Sequence, residues 1–242
     1  MLWFFAVEQV ETLRIAEIFQ TVQGEGLDMG LPSFFVRLQG CQVHCFFCDE
    51  KETWVKRENN SYSSDPASII KELEALNPLL KRVVITGGEP TEQKLSTLIS
   101  ALVNKSFKVS VETAGTGAFV GDLFQDYEHK AIEFNPKGDF KPSVMISFSP
   151  KELYSKSSSI QDERIWQFCS EIKFVIANSQ APEYLLTRII PQLKKYSNDC
   201  PIFLVPDWFN MDANKKIIIE LLNQYPNRLR WGVQMHKLVD MP

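Results

Sequence analysis

Three of the chain's five cysteines stand within eight positions, in the stretch GCQVHCFFCDE at residues 40–50. Cys41, Cys45 and Cys48 form a CxxxCxxC array followed by the acidic pair Asp49-Glu50. A disulfide framework, a zinc site, a redox pair and an iron–sulfur cluster each explain such crowding, and each asks for different neighbours. Three thiolates from one short loop can bind three irons of a cubane and leave the fourth iron open to an exogenous ligand. Their softness suits iron–sulfur or zinc. Structural zinc wants a fourth Cys or His, and the obvious one, His44, lies inside the spacing. Cys45 and Cys48 also have the spacing of a thioredoxin-like pair, but they precede no evident helix. The plainest alternative is three reduced cysteines without a ligand. Cys169 and Cys200 lie far from the array and read as small buried hydrophobes.

Other polar residues sit where a parallel sheet places its chemistry, at the ends of candidate strands. TGGEP at 86–90 ends one of them. Its glycines are either a plain turn or a place where backbone approaches a ligand, and Glu89 could accept hydrogen bonds from an ammonium group. Glu112 in VETAGT and Lys151 in SFSPK occupy comparable positions, and otherwise read as solvated charges. Upstream, IFQTVQGEG at 18–26 reads as a flexible polar loop whose N–H and C=O groups can meet a planar heterocycle. Arg37, four residues before Cys41, interrupts an apolar strand. Burying it unpaired is costly, so it requires a carboxylate from a ligand or from the protein. The final stretch, RLRWGVQMHKLVDMP, carries Gln234, His236 and Lys237 after the last strand, where a tail ordinarily frays.

The elements that must hold these groups alternate along the chain. Strands are expected at 34–38, 83–86, 108–112, 144–148, 171–176, 202–205 and 229–233, with a short one near 132–134. Amphipathic helices fall between them at 65–76, 91–104, 181–196 and 212–225, the third kinked or ended by Pro191. Asp65 followed by Pro66 is a helix start. The serine-rich segment 152–162 reads as a surface loop. This pattern is that of an α/β protein with a mostly parallel sheet, open or closed as a partial barrel, in one domain spanning 1–242.

Composition narrows the setting. A hydrophobic fraction of 44% and a charged fraction of 23% are those of an ordinary globular protein. A net charge of −4 gives no broad electrostatic grip on nucleic acid or an anionic membrane. No apolar run approaches the roughly 20 residues of a membrane helix, and the start lacks the basic leader and long apolar core of a signal peptide. A cytoplasmic protein follows, in which clustered cysteines read as metal or redox groups.

CxxxCxxC with an aromatic residue, Phe47, before the last cysteine resembles the signature of radical S-adenosylmethionine enzymes. The order QGEG, FVRLQGC, CxxxCxxC, TGGEP, VETxGT, SPK, QMHK looks like that of the 7-carboxy-7-deazaguanine synthases, over residues 14–242. The resemblance implies a modified partial (βα) barrel, a 4Fe-4S cluster on Cys41, Cys45 and Cys48, and S-adenosylmethionine on its open iron. Reductive cleavage of that cofactor would give a 5′-deoxyadenosyl radical that abstracts the C6 hydrogen of 6-carboxy-5,6,7,8-tetrahydropterin. Ring contraction to 7-carboxy-7-deazaguanine with loss of ammonia would follow, in queuosine and deazapurine biosynthesis.

By the same resemblance Phe47, Cys48, Asp49, Gly88, Glu89, Glu112, Ser149, Pro150 and Lys151 would line the cofactor. Val22, Gln23, Gly24, Thr86 and His236 would hold the pterin, Arg37 its carboxylate, and Pro242 would close over it. Two departures stand out. Glu50 occupies the place where the family commonly has a Thr or Ser near Mg²⁺, which a carboxylate can also ligate. Val205 stands where family members often carry Gln. A flavodoxin- or ferredoxin-type electron donor and a homodimer are further implied. The alternatives are a glycyl-radical-enzyme activase, also built on CxxxCxxC, and a zinc-stabilised binding module.

Overall fold

The computed structural model of the protein describes residues 11–55, 61–124, 144–155 and 159–241. Its centre is one nine-stranded sheet in the order β3-β1-β2-β4-β5-β6-β7-β8-β9. The strands are β1 Leu13–Val22, β2 Pro32–Leu38, β3 Tyr62–Ser64, β4 Arg82–Gly87, β5 Lys108–Thr113, β6 Val144–Phe148, β7 Glu171–Ile176, β8 Ile202–Pro206 and β9 Leu229–Trp231. From β2 to β9 all neighbours pair in parallel, while β1 runs antiparallel to both β2 and β3. The two outermost strands do not pair with each other, so the sheet is an unclosed barrel.

Strict alternation decides which face does what. Phe34, Val36, Val83, Ile85, Val109, Val111, Val144, Ile146, Ile172, Phe174, Ile202 and Leu204 all enter one continuous core. Helix α1 (Pro66–Leu76) adds Ile69, Ile70 and Leu73 to it, and α2 (Ser96–Asn104) adds Leu98, Ile99 and Leu102. The residues between them, among them Arg37, Thr86, Glu112, Lys173 and Val205, turn to the opposite, concave face. Asp65 caps α1 as its sequence predicts, accepting from the N–H groups of Ala67 and Ser68.

β1 is the main element that the sequence does not announce. A bulge between Ile15 and Glu17 shifts its register, setting Ile15 opposite Leu38 and Glu17 opposite Arg37. The extra residue turns Glu17 to the concave face, although Leu13 and Ile15, of the same parity, lie in the core. The expected loop at 18–26 is thereby corrected: Ile18–Val22 belong to the strand, and the loop begins at Gln23.

Smaller differences have local causes. The helix expected from 91 splits into a 3₁₀ turn, Pro90–Glu92, and α2. Pro191 neither ends nor breaks its helix. A π turn, Leu185–Ile189, precedes it, with the Ile190 N–H bonded to the Leu185 carbonyl, and α-helix continues over Ile190–Lys195. The last strand stops at Trp231 rather than 233, although the Gly232 N–H still reaches the Leu204 carbonyl at 2.8 Å. The segment from 152 is only partly a surface loop: Tyr154 packs its ring on Phe47 and Phe174 and donates its hydroxyl to the Val175 carbonyl. The strand expected near 132–134 lies outside the described residues.

Candidate active site

The concave face and the loops at the strand ends enclose a cavity of about 720 Å³. Its base on one side is the cysteine loop, which leaves β2 at Gly40. Two glycines of TGGEP fix that loop by close approach. A Cβ on Gly88 would lie 2.0 Å from the Gly40 carbonyl oxygen, and one on Gly87 2.3 Å from Leu38 backbone atoms. The Glu89 N–H donates to the Gly40 carbonyl at 2.7 Å, and the Gly88 N–H to Leu38 at 2.9 Å. Glu89 itself turns into the protein. Its carboxylate accepts from the Ala114 N–H at 2.7 Å, the Thr91 N–H at 3.0 Å, and the hydroxyls of Thr91 and Thr113. Burial raises its pKa, and these donors oppose the rise. Its side chain braces the turn, while the neighbouring glycine backbone lines the cavity.

Cys45 and Val43 pack with Ala114, and Cys41, Phe47 and Cys48 flank them. All three cysteines of the array are free thiols. Burial pushes Cys41 up to about 11 and raises Cys45 as well, so thiolates here require a cation to repay their desolvation. No three His, Cys, Asp or Glu side chains among the described residues are drawn together tightly enough to hold a single metal ion. Thiolates that each bind a different iron of a cubane need no such convergence, and this donor set fits an iron–sulfur cluster. Lys151 stands beside this loop, its ammonium 5.4 Å from the centre of the Phe47 ring and 2.6 Å from the Ser149 hydroxyl. Burial lowers its pKa. Pro150 is buried beside it but does not line the cavity.

Across the cavity a second set of groups holds the two ends of the described chain. Lys173, an ammonium buried within β7, lies 2.7 Å from Glu112 and 2.8 Å from Glu25. Glu112 also accepts from Thr86 at 2.9 Å and from Gln23 at 3.1 Å. Burial alone would raise its pKa, but Lys173 and these donors bring it below the ordinary carboxylate value, and Lys173 is correspondingly raised. Glu171, whose pKa burial raises, accepts from the Leu27 N–H at 2.6 Å and the Ser147 hydroxyl at 2.6 Å. Gly26, at φ +68°, passes so close to Glu171 that a Cβ there would meet its carboxylate at 2.3 Å. The loop after β1 is therefore pinned from several sides, not free.

The tail docks onto it. The Met235 N–H donates to the Gly24 carbonyl at 2.9 Å and the Gln234 amide to Glu25 at 2.9 Å, while Lys237 pairs with Asp49 of the cysteine loop. Lys237 and Gln234 outweigh burial and hold the Asp49 carboxyl low. A Cβ on Gly24 would fall 2.3 Å from His236 Nδ1, so ring and glycine are in direct contact. Burial lowers the pKa of His236. Pro242 lies outside the described residues.

Arg37 has carboxylate partners within the protein. Its Nε lies 2.7 Å from Glu17 and its Nη1 3.0 Å from Glu50. Burial raises the Glu50 pKa against the pull of Arg37. With Glu50 held by Arg37 and Asp49 by Lys237, neither carboxylate is offered as a free hard ligand. A Mg²⁺ ion on Glu50 would have to displace Arg37 from it. Val205, 5% exposed, faces the cavity and packs against Gly232.

The residues that the resemblance assigns to cofactor, substrate and cluster all line this one cavity, Pro150 and Pro242 apart; His44 does not. Glu17, Trp54 and Lys173 line it too and belong to none of the motifs. Lys173 had a legible signal: a lysine inside the apolar run EIKFVI presents the same burial problem as Arg37.

A family model described as the Radical SAM superfamily matches residues 35–138. A 7-carboxy-7-deazaguanine synthase of Buchnera aphidicola is 40% identical, with 94% of this chain and 98% of the relative aligned. The synthase of Rickettsia prowazekii is 31% identical over 95% of this chain and 88% of its own, and that of Synechocystis 29% over 94% and 92%. The crystal structure of QueE from Escherichia coli superposes with a TM-score of 0.73 at 26% identity, covering 93% of this chain and 95% of the other.

Proposed function

Because the chain belongs to the 7-carboxy-7-deazaguanine synthase family of radical S-adenosylmethionine enzymes, we propose that its cavity performs that family's ring contraction. The substrate is 6-carboxy-5,6,7,8-tetrahydropterin, the products are 7-carboxy-7-deazaguanine and ammonia, and the setting is 7-deazapurine biosynthesis. The carrying observation is that one cavity is walled jointly by the cysteine loop, the TGGEP turn, the QGEG loop and the QMHK tail. A radical enzyme without this substrate has no need of the last two.

Cys41, Cys45 and Cys48 hold the cluster, which with S-adenosylmethionine supplies the 5′-deoxyadenosyl radical when bound. Phe47, Gly88, Ser149 and Lys151 line the cofactor's end. The chain's own task is to bind, orient and exclude water. Gln23, Thr86 and Glu112 form one hydrogen-bonded edge for the heterocycle, with His236 against Gly24 as its cover. Arg37 takes the substrate carboxylate in exchange for one of its two protein partners. The electron donor is of flavodoxin or ferredoxin type, approaching near Phe46, which is 56% exposed beside the cluster. The homodimer rests on the resemblance and is read directly by light scattering. No helix of the described residues is long and apolar enough to cross a membrane.

The test is anaerobic reconstitution with iron and sulfide, followed by assay with the carboxytetrahydropterin and reduced donor. Formation of the deazaguanine acid is expected. A full cluster that cleaves S-adenosylmethionine without forming this product overturns the reading.

A further inference from the structure

The cysteine loop is closed by a residue outside its motif. Trp54 follows a 3₁₀ turn, Lys51–Thr53, and is half-buried at the wall of the cavity. Its backbone carbonyl accepts from the N–H of Cys41 at 3.2 Å, next to the Gly40 N–H bond to the Thr53 carbonyl at 2.7 Å. Its indole Nε1–H donates to Cys48 Sγ at 3.3 Å. Its ring lies 4.6 Å, centre to centre, from His44, which holds a positive φ of 51° in the middle of the array. One side chain and its own carbonyl thus touch the first cysteine, the bend and the last cysteine. The buried amide of Gln39 fixes this return segment by donating to the Glu52 carbonyl at 3.0 Å and to that of Val55.

An indole N–H is a donor only, and here it is spent on the Cys48 sulfur. Hydrogen bonds to ligand sulfurs are among the features that set a cluster's potential. When an electron enters, negative charge on the sulfurs grows, so a fixed donor stabilises the reduced state more than the oxidised one. From this geometry we propose that Trp54 is a positioning residue that shapes the cysteine loop and raises the cluster's reduction potential through its bond to Cys48. The inference rests on the iron–sulfur reading of Cys41, Cys45 and Cys48 and deepens it. The electron comes from the external one-electron donor, and Trp54 itself is neither oxidised nor reduced.

Trp54→Phe keeps an aromatic ring near His44 and removes the N–H together with part of the ring volume. After anaerobic reconstitution, iron and sulfide are measured in both proteins, and the midpoint potential is taken by redox titration followed by electron paramagnetic resonance. Equal cluster content with a midpoint shifted to more negative values in W54F is expected. An unchanged midpoint at equal content overturns the proposal. A wild-type protein that takes up no iron and sulfide overturns the cysteine reading itself, and with it the inference. If W54F does not load, hyperfine spectroscopy of the unaltered reduced protein decides. A coupling from the exchangeable indole proton supports the bond, and its absence refutes it.

Discussion

Arg37 answers two carboxylates before any ligand arrives, Glu17 at 2.7 Å and Glu50 at 3.0 Å. A substrate carboxylate must therefore win a place on this guanidinium. Glu50→Gln removes one competitor's charge while keeping its size. The expected result is tighter binding of the carboxypterin by calorimetry, with no response to magnesium. Weaker binding that magnesium restores would instead put Glu50 on the metal. Arg37→Ala should raise KM by about 10- to 100-fold, the worth of one charge-assisted hydrogen bond at roughly 1.5–3 kcal/mol, with iron content unchanged. Parallel loss of iron would make Arg37 a structural residue. At this scale the sequence is most legible where residue type is costly: clustered cysteines and a buried arginine demand partners. It is least legible where orientation decides. Glu89 has the right type and spacing to meet a ligand, yet its carboxylate is consumed by Thr91, Thr113 and Ala114. Trp54 shows no pattern at all, because its contact with Cys48 exists only after the chain folds back.

Among the elements, β7 matters for carrying Lys173 between carboxylates from β5 and from the loop after β1. Lys173→Met leaves Glu25 and Glu112 half-buried without their common cation. Removing one partner of a buried pair costs roughly 3–5 kcal/mol, measurable as a lowered urea midpoint. The pH dependence has a definite sign. Glu112 has a depressed pKa in the folded protein, so its contribution is present above the unfolded carboxylate value and lost as pH falls through the folded one. In K173M the folded pKa rises, and acid unfolding should begin at a higher pH than in the wild type; coincident acid transitions would contradict this. The core strands β2 and β4 to β8 were legible because each is a short apolar run between clear breaks, several of them rich in β-branched and aromatic residues. β1 was not, because its bulge at Ile15/Glu17 breaks the alternation that marks a strand. The π turn before Pro191 was hidden for a related reason: proline announces a missing N–H, but not how the preceding turn absorbs it.

Over the whole molecule, the loop after β1 and the tail from Gln234 form one lid across the cavity. Gly24→Ala should push His236 off its seat, since the added methyl would sit 2.3 Å from Nδ1. Hydrogen exchange should then quicken in both 23–31 and 234–241 together, with the sheet unaffected. Quickening confined to one segment would separate them. The order of motifs from QGEG to QMHK was readable in the sequence, whereas their convergence was not, since no local pattern encodes a contact of such range. Gln234 meets Glu25 across 209 positions of chain. Synthesis on the ribosome is directional, so the loop at residue 25 emerges long before the residue that fastens it. Strands β1 to β8 can pair while the tail is still in the exit tunnel. A nascent chain therefore passes through a stage with an assembled sheet and an unroofed cavity, its thiols open to metals and oxidants. The roof closes last, when Gln234 seats on Glu25 and Lys237 on Asp49.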